Sequence, residues 1–425
     1  MVTLIQIRAT KELRGRIRAP PSKSYTHRAV IAASLAKGKS RIHQPLISED
    51  TLATIDACAC LGANIIRDNT VLIITGTDRL RAPSKPIDCR ESASTIRFLT
   101  PVAALAEGSS VLTGSPSLKK RPIAPLVKAL QLLGVEGTSD NGYPPVSIVG
   151  GGIRGGQTSL VGNISSQFVS GLLFVCPLAR ENTEIELTTP LESKPYVQLT
   201  VDTIEKHGVK ITVSNNFQSY RIPQGQTYMA QNHLVPGDYA SSAFLMVAAA
   251  VTHSKIVISN LFHHMPDDSI IDILKEMKVD VHVREDSVEV DGGEPRAASI
   301  DAKDIPDLVP PCAVLACFSE GDTIIYNAKR LRLKESDRLE ALSSELKRMG
   351  ANIKVTGDGL RIKGPCKLHD ATVDPHNDHR IAMACAIAGL RSDGRTMIPR
   401  ADCVNKSYPT FFQDLKKLGA EISVR

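Results

Sequence analysis

A repeat of about seventy residues limits what this chain can fold into more than any other feature. Six helices open on a small polar residue followed by a long apolar run. The candidate caps are Ser22, Ser92, Ser165, Asp238, Asp307 and Asp378, at intervals of 70, 73, 73, 69 and 71 residues. A second series runs out of phase with the first and marks where a shorter helix closes before a pair of strands. It comprises Gly62, Gly134, Gly208, Lys278, Gly350 and Gly419, at intervals of 72, 74, 70, 72 and 69. Two interleaved series with one period imply six copies of one supersecondary unit. Helix N-termini attract anions through their free N–H groups and their dipole. Units packed with symmetry could therefore turn several such ends toward one place.

The first unit shows the plan. PSKSYTHRAVIAASLA (21–36) has little polar surface after Arg28 and reads as a buried helix. TLATIDACACLG (51–62) is a shorter helix closed by Gly62. ANIIRD and TVLIITG then alternate like a strand pair around a turn at Asp68-Asn69. RESASTIRFLTPVAALA, SSQFVSGLLFVCPLA, GDYASSAFLMVAAAV, PDLVPPCAVLACF and DHRIAMACAIAGL are the later buried helices. The last unit stops at ISVR after its first strand, and the N-terminal segment TLIQIRA (3–9) can supply the missing one. The expected organisation is a three-unit domain at 21–235 and a second made of 1–20 with 236–425. The connecting segments 19–21 and 235–237 contain proline, the second also glycine, and read as the hinge.

Bulk properties exclude several classes. At 425 residues with 42% apolar content the chain should form two or three ordinary globular domains. No window of 18 uncharged apolar residues suggests a membrane span, and the N-terminus lacks the apolar core of a signal peptide. Nine cysteines without a CxxC pair point to a reduced, cytoplasmic interior and no zinc or other metal site. Net charge is a mild +6, Trp is absent, and the cations fall one or two per unit rather than in a stripe, so nucleic acid is not an expected partner. There is no GxxxxGK[ST], Rossmann fingerprint or HExxH motif, and Gly150-Gly151-Gly152 reads as a turn.

Several polar groups stand at the mouths of these helices. Lys23, Ser24 and Arg28 open the first. Cations there oppose the macrodipole and call for an anion, or else stand in water. Ser165, Ser166 and Gln167 combine two hydroxyls and an amide at a third helix start, which suits a phosphate or polyol as well as plain capping. Arg121 follows Lys119-Lys120 and reads equally as the end of a surface charge run. In KESDRLEALSSELKRMG (334–350), Lys334, Glu335 and Arg338 have few internal i,i+4 partners, which favours a site. Asp307 reads as a helix cap. Asp378-His379-Arg380 opens a wholly apolar helix, as a cleft-facing site or as a satisfied core histidine would. Lys406 lies in a loop before the last helix.

Taken together, PSKSYTHR (21–28), RPI (121–123), SSQ (165–167), SKPY (193–196), GDYASSA (237–243), IPD (305–307), KESDR (334–338), NDHR (377–380) and KSYP (406–409) resemble the ordered motif set of the EPSP synthase (3-phosphoshikimate 1-carboxyvinyltransferase) family over the whole chain. The resemblance implies an α/β fold, the two-domain inverse α/β prism of six βαβαββ-type units, three per domain, with the active site in the cleft between domains. It implies transfer of the enolpyruvyl group of phosphoenolpyruvate to the 5-hydroxyl of shikimate 3-phosphate by addition and elimination. These small anions are the expected partners, no cofactor is implied, and a monomer suffices. By resemblance Lys23, Ser24, Arg28, Ser165, Ser166, Gln167, Ser193, Tyr196, Asp307 and Lys334 hold shikimate 3-phosphate. Lys23, Ala93, Arg121, Gln167, Arg338, Arg380 and Lys406 hold phosphoenolpyruvate. Asp307 takes the 5-hydroxyl proton, Glu335 handles the proton at C3, Lys23 assists, and His379 supports that region.

Two departures stand out. Ala93 occupies the family's glycine position in Glu91-Ser92-Ala93-Ser94, so its methyl is expected to trim the phosphoenolpyruvate pocket against the longer inhibitor glyphosate. Arg330 stands where many members have Asn, which leaves a substrate contact there in doubt. Two relatives offer alternatives. A UDP-N-acetylglucosamine enolpyruvyltransferase uses a loop cysteine before its RP motif, but this chain has none between Cys89 and Cys176. An RNA 3′-phosphate cyclase would need the missing basic stripe.

Overall fold

The computed structural model describes residues 3–68, 70–77 and 79–424, so Asn69 of the expected turn and Arg425 of the last strand lie outside the described residues. The chain divides into two compact units, Pro21–Val235 and Met1–Pro20 with Pro236–Arg425. Among the described residues there are six four-stranded sheets, three in each unit. The second repeat is representative. A leader strand, Ile87–Asp88, precedes the helix Ala93–Ala103 and pairs parallel with Ser109–Thr113 beyond it. After the helix Ala124–Leu132, the hairpin Glu136–Asp140 and Tyr143–Val149 completes the sheet antiparallel. This is the βαβαββ unit, and leaders at Gly156–Leu160, Ser299–Asp301 and His369–Thr372 repeat it.

The two connections between units differ from this plan. The leader Arg14–Arg18 precedes the helix Lys23–Leu35 but pairs with Lys255–Ser259. The leader His233–Leu234 precedes Tyr239–Val251 but pairs with Lys39–His43. Each leader stays with the unit the chain is leaving. The strand Ile5–Arg8 pairs antiparallel with both Asp393–Ile398 and Ile422–Val424 and closes the last sheet.

Local chemistry explains the helix ends. Gly62, Gly134, Gly208, Lys278, Gly350 and Gly419 all have φ between +63° and +114°, the left-handed turn that ends a helix and favours glycine. The side chains of Ser22, Ser92, Ser165, Asp238 and Asp378 accept the N–H groups of Tyr25, Thr95, Gln167, Ser241 and Arg380, which makes them caps. Asp307 does not cap. It lies in the 3-10 turn Pro306–Leu308, and the helix Val309–Phe318 starts on Leu308 with no side-chain cap.

Every residue of Tyr239–Val251 is buried. A helix apolar on all sides belongs in a core, and this one packs on Val309–Phe318 and His379–Gly389. In the other unit Gly171 lets Ser166–Val175 lie directly on Ala93–Ala103, since a Cβ there would sit 2.5 Å from the Arg97 carbonyl oxygen. That close approach brings the Arg97 side chain to the start of the neighbouring helix. No helix among the described residues is long and apolar enough to cross a membrane.

Candidate active site

Each unit carries its own polar array. In the C-terminal unit the helix Arg338–Arg348 starts on Asp337 and projects Arg338 into the interior, where its side chain is almost fully buried. Its guanidinium meets three carboxylates: Nη1 donates to Asp307 Oδ1 at 2.9 Å, Nη2 to Glu335 Oε2 at 2.5 Å, and Nε to Asp378 Oδ2 at 2.8 Å. Asp307 also faces Arg380 Nη2 at 3.1 Å and Lys334 Nζ at 3.4 Å. Its backbone carbonyl accepts a further bond from Arg380 Nη1 at 3.1 Å. Ser336 Oγ donates to Asp378 Oδ2 at 3.0 Å. Three cations and three carboxylates thus interlock at the mouths of two buried helices.

The electrostatics follow from this geometry. Burial alone would raise the Asp307 carboxyl, but Arg380, Lys334 and Arg338 together outweigh it and hold the group well below the usual carboxylate range. Burial likewise works against Arg338, yet Asp378, Glu335 and Asp307 hold its guanidinium above the ordinary value. Lys334 goes the other way: burial pulls its ammonium down to about 8 despite Asp307. Lys406 is buried at the end of the 3-10 turn Ala401–Lys406, and its Nζ donates to the Asn377 carbonyl at 2.5 Å. His379 is fully buried, with Nδ1 3.8 Å from Asp378 Oδ1. Arg330 bonds the Lys303 carbonyl at 2.7 Å.

In the N-terminal unit Lys23 Nζ pairs with Asp50 Oδ2 at 2.8 Å, so this ammonium is balanced by a carboxylate rather than left in water. Arg28 is buried. It donates to Thr200 Oγ1 at 2.7 Å, to the Ser24 carbonyl at 2.9 Å, to the Tyr196 carbonyl at 2.8 Å and to Ser170 Oγ at 3.4 Å, and it lies over the Phe98 ring. Burial pulls it down to about 9, still protonated at neutral pH. Ser193, also buried, precedes the helix Lys194–Lys206 in a left-handed conformation with φ 58°. Such a conformation in a non-glycine residue is strained and tends to occur at functional sites. Arg121 is buried although Lys119 and Lys120 are exposed, so it is not the end of a surface run. Ser165 and Ser166 are buried at their helix start, and Ala93 is buried as the first residue of its helix.

Arg97 links these elements and was not singled out in the sequence. Its Nη1 donates to Ser165 Oγ at 3.2 Å and to Gln167 Oε1 at 3.0 Å, while Nη2 reaches the Pro122 carbonyl at 3.4 Å. Gln167 Nε2 in turn donates to Ser94 Oγ at 2.7 Å. Arg97 was detectable as a lone cation within the apolar run of its helix, since a buried charge needs partners. Asp50 offered no such mark in a helix start rich in acids. Asp378 reads from sequence as a cap, and the structure gives it a second role as Arg338's acceptor.

The family model described as EPSP synthase (3-phosphoshikimate 1-carboxyvinyltransferase) matches residues 7–415 of this chain. The 3-phosphoshikimate 1-carboxyvinyltransferase of Methanocaldococcus jannaschii is 44% identical over 430 residues, covering 99% of this chain and 100% of its own. The protein of the same description from Methanocella arvoryzae is 46% identical over 416 residues, with 96% and 97% covered. A solved EPSP synthase from Acinetobacter baumannii is similar over 100% of both chains, with a TM-score of 0.86 at 28% identity.

Proposed function

The chain belongs to the EPSP synthase family, and from that premise we propose how its two arrays transfer the enolpyruvyl group of phosphoenolpyruvate to the 5-hydroxyl of shikimate 3-phosphate with release of phosphate. The observation that carries the assignment of roles is the convergence of Lys334, Glu335 and Arg380 on the Asp307–Arg338 pair, each within hydrogen-bonding reach of one of the two. Two polyanionic substrates need fixed cations, and an addition followed by an elimination needs groups that accept and return protons.

Asp307 is held ionised by its cations, so it can accept the 5-hydroxyl proton as that oxygen bonds to C2 of phosphoenolpyruvate. Glu335, having taken up a proton with the substrates, delivers it to C3 in the same step. The tetrahedral adduct then expels phosphate from C2, and this phosphate takes up the proton held by Asp307, while a proton returns from C3 to Glu335, restoring the double bond. Arg338, Arg380, Lys406, Arg121, Gln167 and Lys23 hold phosphoenolpyruvate and stabilise the negative charge on the departing phosphate. Lys23, Ser24, Arg28, Ser165, Ser166, Gln167, Ser193, Tyr196 and Lys334 hold shikimate 3-phosphate. His379 packs behind Asp378 and supports the region. Arg97 positions Ser165 and Gln167. Phosphate release tests the assignment: it should require both substrates together, and release from phosphoenolpyruvate alone would contradict it.

Lys334 gives this reading a pH signature. Its ammonium, drawn down to about 8, loses its proton as pH rises, whereas the substrate phosphate is already ionised. The KM for shikimate 3-phosphate should therefore rise above pH 8 by up to about tenfold per pH unit. Lys334→Ala should show a higher KM with no inflection there, and an unchanged inflection in that variant would assign it to another group.

Ala93 predicts inhibitor response. Excess volume in a packed site costs about 1–3 kcal/mol, so Ala93→Gly should strengthen glyphosate inhibition by about tenfold or more. The KM for phosphoenolpyruvate should change much less. An unchanged inhibition constant would show that the methyl does not trim the pocket.

A further inference from the structure

Glu345 is a buried carboxylate that the proposed chemistry does not use. It lies on the helix Arg338–Arg348, seven residues beyond Arg338 and hence two turns along the same face. Its Oε2 accepts the Asp374 N–H at 3.0 Å and Arg348 Nε at 3.1 Å. Its Oε1 accepts His376 Nε2 at 3.0 Å and Ser344 Oγ at 2.8 Å. An ionised carboxylate only accepts, so this contact requires the His376 proton on Nε2.

The segment it holds has an unusual backbone. His376 and Asn377 are consecutive non-glycine residues with φ of 52° and 53°, a conformation that persists only where the surroundings impose it. Asp374 adds a constraint: its Oδ1 accepts the His376 N–H at 2.7 Å and Arg400 Nη2 at 2.6 Å. The constrained backbone points the Asn377 carbonyl at Lys406 Nζ, and the next residue is Asp378, which Arg338 grips. One helix face therefore holds the segment 374–378 at both ends, with Arg338 on Asp378 and Glu345 on Asp374 and His376.

We propose that Glu345 is a positioning residue for the phosphoenolpyruvate side of the site. By fixing residues 374–377 it sets the carbonyl that orients Lys406 and the start of the helix that carries Arg380. This rests on the assignment of Lys406 and Arg380 to phosphoenolpyruvate above. Glu345 itself touches no reacting atom.

Glu345→Gln tests it, because the amide keeps the shape but turns an N–H₂ toward the pair of donors that one of the two oxygens now accepts. The KM for phosphoenolpyruvate should rise about tenfold, the effect of one unmet buried hydrogen bond, while the KM for shikimate 3-phosphate stays within about twofold. His376→Gln, which removes a single contact at a half-exposed ring, should give a smaller rise in the same constant. The double variant should cost less than the two singles combined, since both act through one contact. A second readout is independent of turnover: amine-labelling of Lys406, followed by mass spectrometry, should be severalfold faster in Glu345→Gln, with Lys119 and Lys120 unchanged. Unaltered Lys406 labelling would overturn the inference whatever the activity, as would an equal rise in both KM values. A wild-type protein without turnover would overturn the functional reading instead, and the labelling would then decide the placement of Lys406 alone.

Discussion

Arg338→Met is expected to destabilise the C-terminal unit by about 3–5 kcal/mol, the usual cost of stranding buried charge when one partner of a buried ion pair is removed. The side chain is 2% exposed and neutralises Asp307, Glu335 and Asp378 together. Methionine fills most of the space but offers none of the five N–H donors. The deficit should depend on pH in a defined direction. Asp307 has a depressed pKa in the folded chain, so its contribution is present above the unfolded value of about 3.9 and is lost as pH falls through the lower folded value. In the variant the stranded carboxylates escape their penalty by taking up protons. Urea unfolding at pH 7 and at about pH 3, followed by a probe in each unit, should show the two proteins converging in acid. A loss below about 1 kcal/mol at both pH values would mean the three contacts are screened as a surface pair would be.

The second large effect is on rate. Glu335→Gln keeps an oxygen to accept from Arg338 but cannot carry the C3 proton. The kcat should fall by about 10²–10⁴, the usual worth of a positioned general acid or base, with both KM values nearly unchanged. A fall of less than about tenfold would move the proton transfer to another group, and Lys23 would then be the first candidate to test.

What was legible in the sequence was local. Cap residues, the left-handed helix ends and the apolar runs each announce themselves within a few residues, and six repetitions made the unit unmistakable. The strand Ile5–Arg8 was also foreseeable, because the last repeat ends one strand short. The placement of the two connecting leaders was not. Arg14–Arg18 and His233–Leu234 carry no mark that says which sheet they join, and parallel pairing is decided by long-range packing.

The site shows the same division. Motif order brings out Asp307, Lys334, Glu335, Arg338 and Arg380 alike; only Asp307 read by itself, as a helix cap, is overturned. Its carboxylate instead meets three cations from two other segments, a stronger attraction than one backbone N–H. Arg28 reads as a cation awaiting an anion, yet three of its hydrogen bonds already brace neighbouring helices and a fourth its own. Glu345 sits in a charged stretch of an amphipathic helix, where glutamate is ordinary, and only the fold shows that it is buried against a constrained loop.

The central claim is that this chain adds the 5-hydroxyl across the double bond of phosphoenolpyruvate and then eliminates phosphate, with a solvent-exchangeable carboxyl handling the C3 proton. The most direct test is to run the reaction in D₂O and identify the product by NMR. The account predicts an enol ether at the 5-oxygen of shikimate 3-phosphate, with deuterium in its vinyl group and stoichiometric phosphate, only when both substrates are present. Phosphate released with free pyruvate and no enol ether, or an enol ether without deuterium, would contradict it.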